Sequence, residues 1–152
     1  MKLLVIGGHL TPALSLMEFL PKETEVLYVG RKYALEGDTT YSLEYQTITS
    51  RNIPFAPITT GRLQRTWTKH TLPSLLKLPG GFFQAYTIIK NFKPTVIIGF
   101  GGYVQVPICF VGKLLGIPVV IHEQTLEAGL ANKIIAPLAN KICISWESSI
   151  NF

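Results

Sequence analysis

Cysteine is scarce in this chain. Cys109 and Cys143 are its two, both inside apolar runs and without CxxC or Cys/His spacing. A disulfide framework and a cysteine-built metal centre are therefore not expected, and both thiols read as small core residues of the kind a reducing compartment preserves. Charge is scarce as well: charged residues make up 15% of the chain and hydrophobic ones 47%, the balance of a folded domain rather than a disordered one. Lys and Arg outnumber Asp and Glu by 14 to 9, a net charge of +5. That excess is modest, its placement matters more than its size, and no nucleic-acid partner is expected from it. No apolar run reaches the ~18 residues of a spanning helix. The opening run KLLVIGG reads as a strand rather than a secretory leader. The expectation is a soluble or peripheral protein. The GxGxxG pattern is also missing, and no clear acidic residue for a ribose follows the second strand, which sets aside an ordinary dinucleotide-binding domain.

What is present is alternation. KLLVI, EVLYVG, TVIIGF, PVVIHE and NKICIS are short runs rich in Val and Ile, without the strict polar alternation of a half-exposed strand. Such runs suit parallel strands covered on both faces. Helical stretches separate them: TPALSLMEFL with Thr11 as N-cap and Pro12 at the first helical position, Leu72 to Asn91 interrupted at Pro79-Gly80-Gly81, Gln105 to Leu115, and Gly129 to Ala139. The less regular middle, residues 41–67, reads as one or two short strands. This order predicts an α/β domain, a doubly wound parallel sheet of Rossmann type spanning residues 1–152.

In open α/β sheets ligands lie beyond the carboxyl ends of the strands. Three such ends carry glycine or polar residues here: Gly7-Gly8-His9, Gly99-Phe100-Gly101-Gly102-Tyr103, and His122-Glu123-Gln124-Thr125. The fold should bring them to one edge. Gly7-Gly8-His9 reads equally as a phosphate cradle before a helix N-terminus and as a tight turn. His9 is either a proton acceptor, a diphosphate contact or an exposed cap. The second loop is an anion or sugar nest or a glycine-rich turn. His, Glu and Gln in succession at a buried strand end need partners, which favours a ligand crevice; the alternative is Glu123 capping the helix near Gly129. Arg62, Arg65, Trp67 and Lys69, with Lys77 among leucines and phenylalanines, form the best candidate for an anionic membrane face, though an amphipathic helix on the sheet would read the same way.

Taken together, GGH..PAL, GRLQR, FKPTVIIGFGGYVQVP, LLGIPVVIHEQTLEAGLANK and LANKICIS resemble, in order and over nearly the whole chain, the N-terminal half of the MurG-like glycosyltransferases of family 28. The resemblance implies a GT-B architecture of two Rossmann-like domains. It also implies inverting transfer of N-acetylglucosamine from UDP-N-acetylglucosamine to an undecaprenyl-diphosphate-linked muramyl-pentapeptide, at the cytoplasmic face of the plasma membrane, in peptidoglycan synthesis. No metal or other cofactor is implied. His9 is the first candidate for the base and Glu123 the second. Gly7, Gly8, Gly101, Gly102, Tyr103, His122, Gln124, Thr125, Gly129 and Asn132 are the substrate-binding candidates. The chain departs from the family in three ways. Only GGH remains of GGTGGH, Thr125 stands where Asn follows HEQ, and the sequence stops where a donor-binding domain should begin. The expectation is a half-enzyme inactive alone, either one domain of a longer enzyme or a natural subunit partnered by a separate donor-binding chain. The alternative is a non-catalytic module for a polyprenyl-diphosphate sugar.

Overall fold

A computed structural model of the chain describes residues 1–34, 39–61 and 76–150. Among them run six strands: β1 Lys2–Ile6, β2 Glu25–Gly30, β3 Phe55–Pro57, β4 Val96–Gly99, β5 Val119–Glu123 and β6 Lys141–Ile144. They form one sheet in the order β3-β2-β1-β4-β5-β6, every neighbouring pair parallel. Five α-helices are described: α1 Leu10–Glu18, α2 Leu43–Ser50, α3 Leu78–Phe92, α4 Gln105–Leu114 and α5 Leu130–Ile135. The doubly wound parallel sheet expected from the alternation is the fold.

The strands are apolar throughout because each has two faces to bury. In β1, Leu4 and Ile6 enter one core with Ile97, Ile108, Val119 and Ile121, beneath α3, α4 and α5. Leu3 and Val5 enter the other, with Ala13 of α1 and Ile48 of α2. Each large aliphatic side chain buried this way contributes roughly 1.5–3 kcal/mol.

Some local readings are corrected. α1 begins at Leu10 with His9 at the N-cap position, so Thr11 is not the cap and Pro12 is the third helical residue. The first turn has no intrahelical acceptor for that N–H, so a proline there costs nothing in hydrogen bonding. α3 runs through Pro79-Gly80-Gly81 unbroken. Its proline sits in the first turn, and the apparent interruption is the helix start. The irregular middle holds one short strand, β3, as expected, and also a helix that was not expected: residues 43–50 form α2, capped by the Ser42 hydroxyl accepting from the Tyr45 amide at 3.0 Å. A strong cap outweighs the β-branched Thr47, Ile48 and Thr49. Cys109 is buried as expected, with its thiol pKa pushed up by burial, but Cys143 on the edge strand β6 is exposed. The basic candidates Arg62, Arg65, Trp67 and Lys69 lie outside the described residues. Among those described, no helix is long and apolar enough to cross a membrane.

The order reverses between β1 and β4, the switch point where such sheets bind ligands. The loops after β1 and β4 interlock there. The His9 amide donates to the Phe100 carbonyl at 3.0 Å, and a Cβ on Gly8 would lie 2.3 Å from the Gly101 carbonyl oxygen. Backbone on both sides leaves little room to yield. Gly8→Ala should therefore lower stability by about 1–3 kcal/mol. Urea unfolding would register this as a lower midpoint with an unchanged slope; a parent-like midpoint would mean that the loops are not packed as described.

Candidate functional site

Because β1, β4 and β5 are consecutive in the sheet, their three carboxyl-end loops stand side by side. They enclose a cleft of about 250 Å³, lined by His9 from the first loop, Gly101, Gly102 and Tyr103 from the second, and Glu123 and Thr125 from the third. Val106 of α4 and Gly129, Leu130, Ala131 and Asn132 at the start of α5 complete the wall. Successive strand side chains alternate between faces. Glu123 and Thr125 accordingly reach the cleft, while His122 and Gln124 are not part of its lining.

Glu123 is 1% exposed, yet its carboxylate is fully engaged. Oε1 accepts from the Thr125 amide at 2.9 Å and from the Thr125 hydroxyl at 2.5 Å. That hydroxyl also lies 2.7 Å from the Glu127 carbonyl, and its single proton serves one acceptor at a time. Oε2 accepts from the Gly129 amide at 2.9 Å and from Asn132 Nδ2 at 2.8 Å. Burial alone would raise this carboxyl's pKa; the Thr125 hydroxyl and amide, the Gly129 amide and the Asn132 side chain together outweigh it and bring it down to about 2. The expectation that Glu123 is aimed at ligand rather than engaged by protein is corrected. Its carboxylate borders the cleft as a fixed charge that pins the β5 loop to α5.

Asn132 extends the network. Its Nδ2 also lies 3.2 Å from the His122 carbonyl, and its Oδ1 accepts from Gln105 Nε2 at 2.5 Å. Gln105 Oε1 in turn accepts from the Gly101 amide at 2.9 Å. Gln105 is completely buried, and a Cβ on Gly99 would fall 2.2 Å from its Oε1. One amide side chain thus couples the second glycine loop to the third. Gln105 is not among the sequence candidates. Its signal was a lone Gln at the head of the apolar helix QVPICFVGKL, where a buried amide must find partners.

His9 Nδ1 lies 2.9 Å from the Phe100 carbonyl oxygen. A carbonyl only accepts, so Nδ1 carries the proton and the lone pair of the neutral ring is on Nε2. His122 faces the other way: its Nε2 is 3.1 Å from the Ser145 hydroxyl, its ring centroid is 5.5 Å from that of Phe100, and its buried Nδ1 has no partner. Burial lowers its pKa, nearby Glu123 opposes that, and the His9 charge adds to it. Gln124 Oε1 is likewise buried without a partner.

Gly7 and Gly8 are closely packed on their side-chain faces. A Cβ on Gly7 would collide with Glu44 Oε1. Glu44 lies beneath the loop, accepting from the Tyr28 hydroxyl at 2.8 Å and the Arg31 amide at 3.2 Å. Burial raises the Glu44 pKa, opposed by the Tyr28 hydroxyl, the Arg31 amide and the Arg31 charge. Of the sequence candidates, Gly7, Gly8, His122 and Gln124 are not among the residues lining the cleft. Gly101 and Gly102, with φ of +86° and +74°, hold the left-handed turn that opens it. Among the described residues, no group of three or more His, Cys, Asp or Glu could hold a metal ion.

A parallel sheet with a cleft at its switch point, walled by a histidine, a fixed carboxylate and a glycine loop, defines a Rossmann-like domain built to hold a ligand at its carboxyl edge. Residues 3–144 match the glycosyltransferase family 28 N-terminal domain, and the chain belongs to that family. It is 37% identical, over its whole length, to 41% of a Natranaerobius thermophilus protein named UDP-N-acetylglucosamine--N-acetylmuramyl-(pentapeptide) pyrophosphoryl-undecaprenol N-acetylglucosamine transferase. A protein of the same name from Halothermothrix orenii is also 37% identical, over 94% of this chain and 37% of its own. Among solved structures, Acinetobacter baumannii MurG superposes with a TM-score of 0.76 at 27% identity, covering 99% of this chain and 43% of that one. The UDP-GlcNAc 2-epimerase of Methanocaldococcus jannaschii shares the fold, with a TM-score of 0.60 at 14% identity over 97% of this chain and 40% of its own. The chain spans about two fifths of the length of the curated relatives it matches.

Replacing Glu123 by Gln turns one of its acceptors into a donor facing the Gly129 amide or Thr125, at a cost of roughly 1–3 kcal/mol or more. The folded pKa lies below the ordinary carboxylate value, so the native carboxylate's stabilisation is complete above that value of 4.5 and is lost as pH falls towards about 2. Melting curves should show a gap between parent and Glu123→Gln that is full at neutral pH and narrows across that window. A gap independent of pH would mean that the charge is not what the loop holds.

Proposed function

We propose that the chain is the acceptor-binding half of an inverting N-acetylglucosaminyltransferase. Its donor is UDP-N-acetylglucosamine and its acceptor an undecaprenyl-diphosphate-linked muramyl-pentapeptide, as the relatives' names state for them. The observation that carries the reading is His9. With Nδ1 donating to Phe100, the lone pair of the neutral ring is on Nε2, and His9 lines the cleft. A sugar hydroxyl seated there gives its proton to Nε2 as its oxygen attacks the anomeric carbon. The carbon–oxygen bond to UDP breaks on the opposite face, and the configuration inverts. Glu123, held anionic by four donors, has no lone pair comparably available and serves positioning instead. Residues 1–152 make up one domain in this reading. Donor binding belongs to a second domain, on a longer form of the chain or on a separate partner.

The membrane reading draws on Leu76 and Phe83, which are 75% and 73% exposed, and on the cations Lys77 and Lys90 of the same stretch. With Arg62, Arg65, Trp67 and Lys69 close by in sequence, they suit a peripheral contact with the anionic cytoplasmic leaflet. Binding to anionic vesicles should weaken steeply as salt shortens the screening length to about 8 Å at physiological strength. Equal binding to neutral vesicles would remove this part of the reading.

The reaction is tested by mixing the chain with a family donor-binding domain, UDP-N-acetylglucosamine and a soluble acceptor analogue. His9→Ala should lower the rate by about 10²–10⁴ while shifting the melting temperature little. A His9→Ala mixture that turns over like the parent would dismiss His9 as the base. Acceptor binding without any transfer, under conditions where a complete relative is active, would favour the non-catalytic module.

A further inference from the structure

The cleft is electrostatically one-sided. Its ionisable side chains are His9, Tyr103 and Glu123, so no lysine or arginine is among its lining residues. The carboxylate in its wall is held charged by four donors and spends the Gly129 amide, which a bound anion would otherwise claim. An anion in the body of the cleft would meet that charge with no cation among the described lining residues to offset it. A cation does stand beside one of those lining residues. The Arg31 guanidinium, just after β2, lies 5.9 Å from the centroid of the Tyr103 ring, and Tyr103 lines the cleft. Its neighbour Lys32 is turned into a cluster of tyrosines, with Nζ 5.5–5.8 Å from the rings of Tyr33, Tyr41 and Tyr45. Of the two successive cations, Arg31 is the one beside the cleft.

We infer that the site divides its ligand by charge: the cleft takes an uncharged sugar ring, and Arg31, steadied on Tyr103, takes the phosphate at the rim. This deepens the acceptor reading and rests on it. The cleft's 250 Å³ lies just below the roughly 300–1,000 Å³ of clefts that hold drug-sized ligands, so it suits a fragment of a larger molecule. One Nη1 donor of Arg31 goes to the Ala34 carbonyl at 3.3 Å, and the planar guanidinium beside the aromatic ring keeps its other N–H groups for the phosphate oxygens.

The test is a pair of amide NMR titrations of the 152-residue chain, with methyl N-acetylglucosaminide and with inorganic pyrophosphate. The sugar should shift the amides of Gly101, Gly102 and Asn132, and pyrophosphate those of Arg31 and Tyr103, without either displacing the other. Arg31→Ala should weaken the pyrophosphate response roughly fivefold, the scale of one exposed ion pair, and leave the sugar response in place. Lys32→Ala should change neither. Pyrophosphate that displaces the sugar, or that binds Arg31→Ala as it binds the parent, overturns the division and leaves the acceptor reading standing. The same holds if neither fragment binds while a soluble lipid-linked acceptor analogue does. Failure of that complete analogue to bind would instead bring down the acceptor reading, and the division with it.

Discussion

The site depends on one buried carboxylate being satisfied. Glu123 ends strand β5 at 1% exposure, where an unpaired charge would cost several kcal/mol. Both oxygens find donors only because the chain turns back at Thr125 and starts a helix at Gly129. That return brings the first turn of α5 against the carboxyl edge of the sheet. Asn132, one turn on, then relays the constraint through Gln105 to the Gly101 amide. The cleft is therefore shaped by protein–protein hydrogen bonds before any ligand arrives, which is the preorganisation that a transfer site requires.

The same economy governs the other side. Glu44 fills the space where a side chain on residue 7 would stand, and the Gly101 carbonyl fills the space above residue 8. Glycines that resemble a phosphate cradle are here the result of close packing between loops and against a buried acid. Their effect on function is indirect: they bring the β1 and β4 loops close enough for Phe100 to accept from both the amide and the ring of His9. Backbone contact and tautomer are fixed at the same carbonyl.

The sheet and the location of the cleft were legible in the sequence, because runs such as VLYV and VIIG state their two-sided burial directly and the switch-point rule needs only their order. α2 was not, since its cap at Ser42 outweighs a weakly patterned, β-branched segment. At the site, residue identities such as His9, Gly101 and Asn132 were legible, but facing was read too simply. Glycine and polar residues at a strand end announce a crevice without saying which of them point into it. Gln105 was missed for the converse reason: within an apolar helix it looked like an exception to the pattern, although a buried amide with no local partner implies a distant one.

The succession His122-Glu123-Gln124-Thr125 makes sense once alternation is applied to it. Residues 123 and 125 turn towards α5 and the cleft, while His122 turns towards the face carrying Phe100 and Ser145. A histidine and a glutamate adjacent in sequence therefore cannot act as an acid–base pair on one substrate atom. They act on opposite faces of the same strand end. Glu123 shapes the cleft directly. His122, kept neutral by burial and packed against Phe100, lies beneath the loop whose carbonyl orients His9. A protonated His122 would put a charge into the partly buried space behind that loop. The two imidazoles are in this way segregated by strand geometry: His9 lines the cleft with its tautomer fixed by the Phe100 carbonyl, and His122 lies behind that loop.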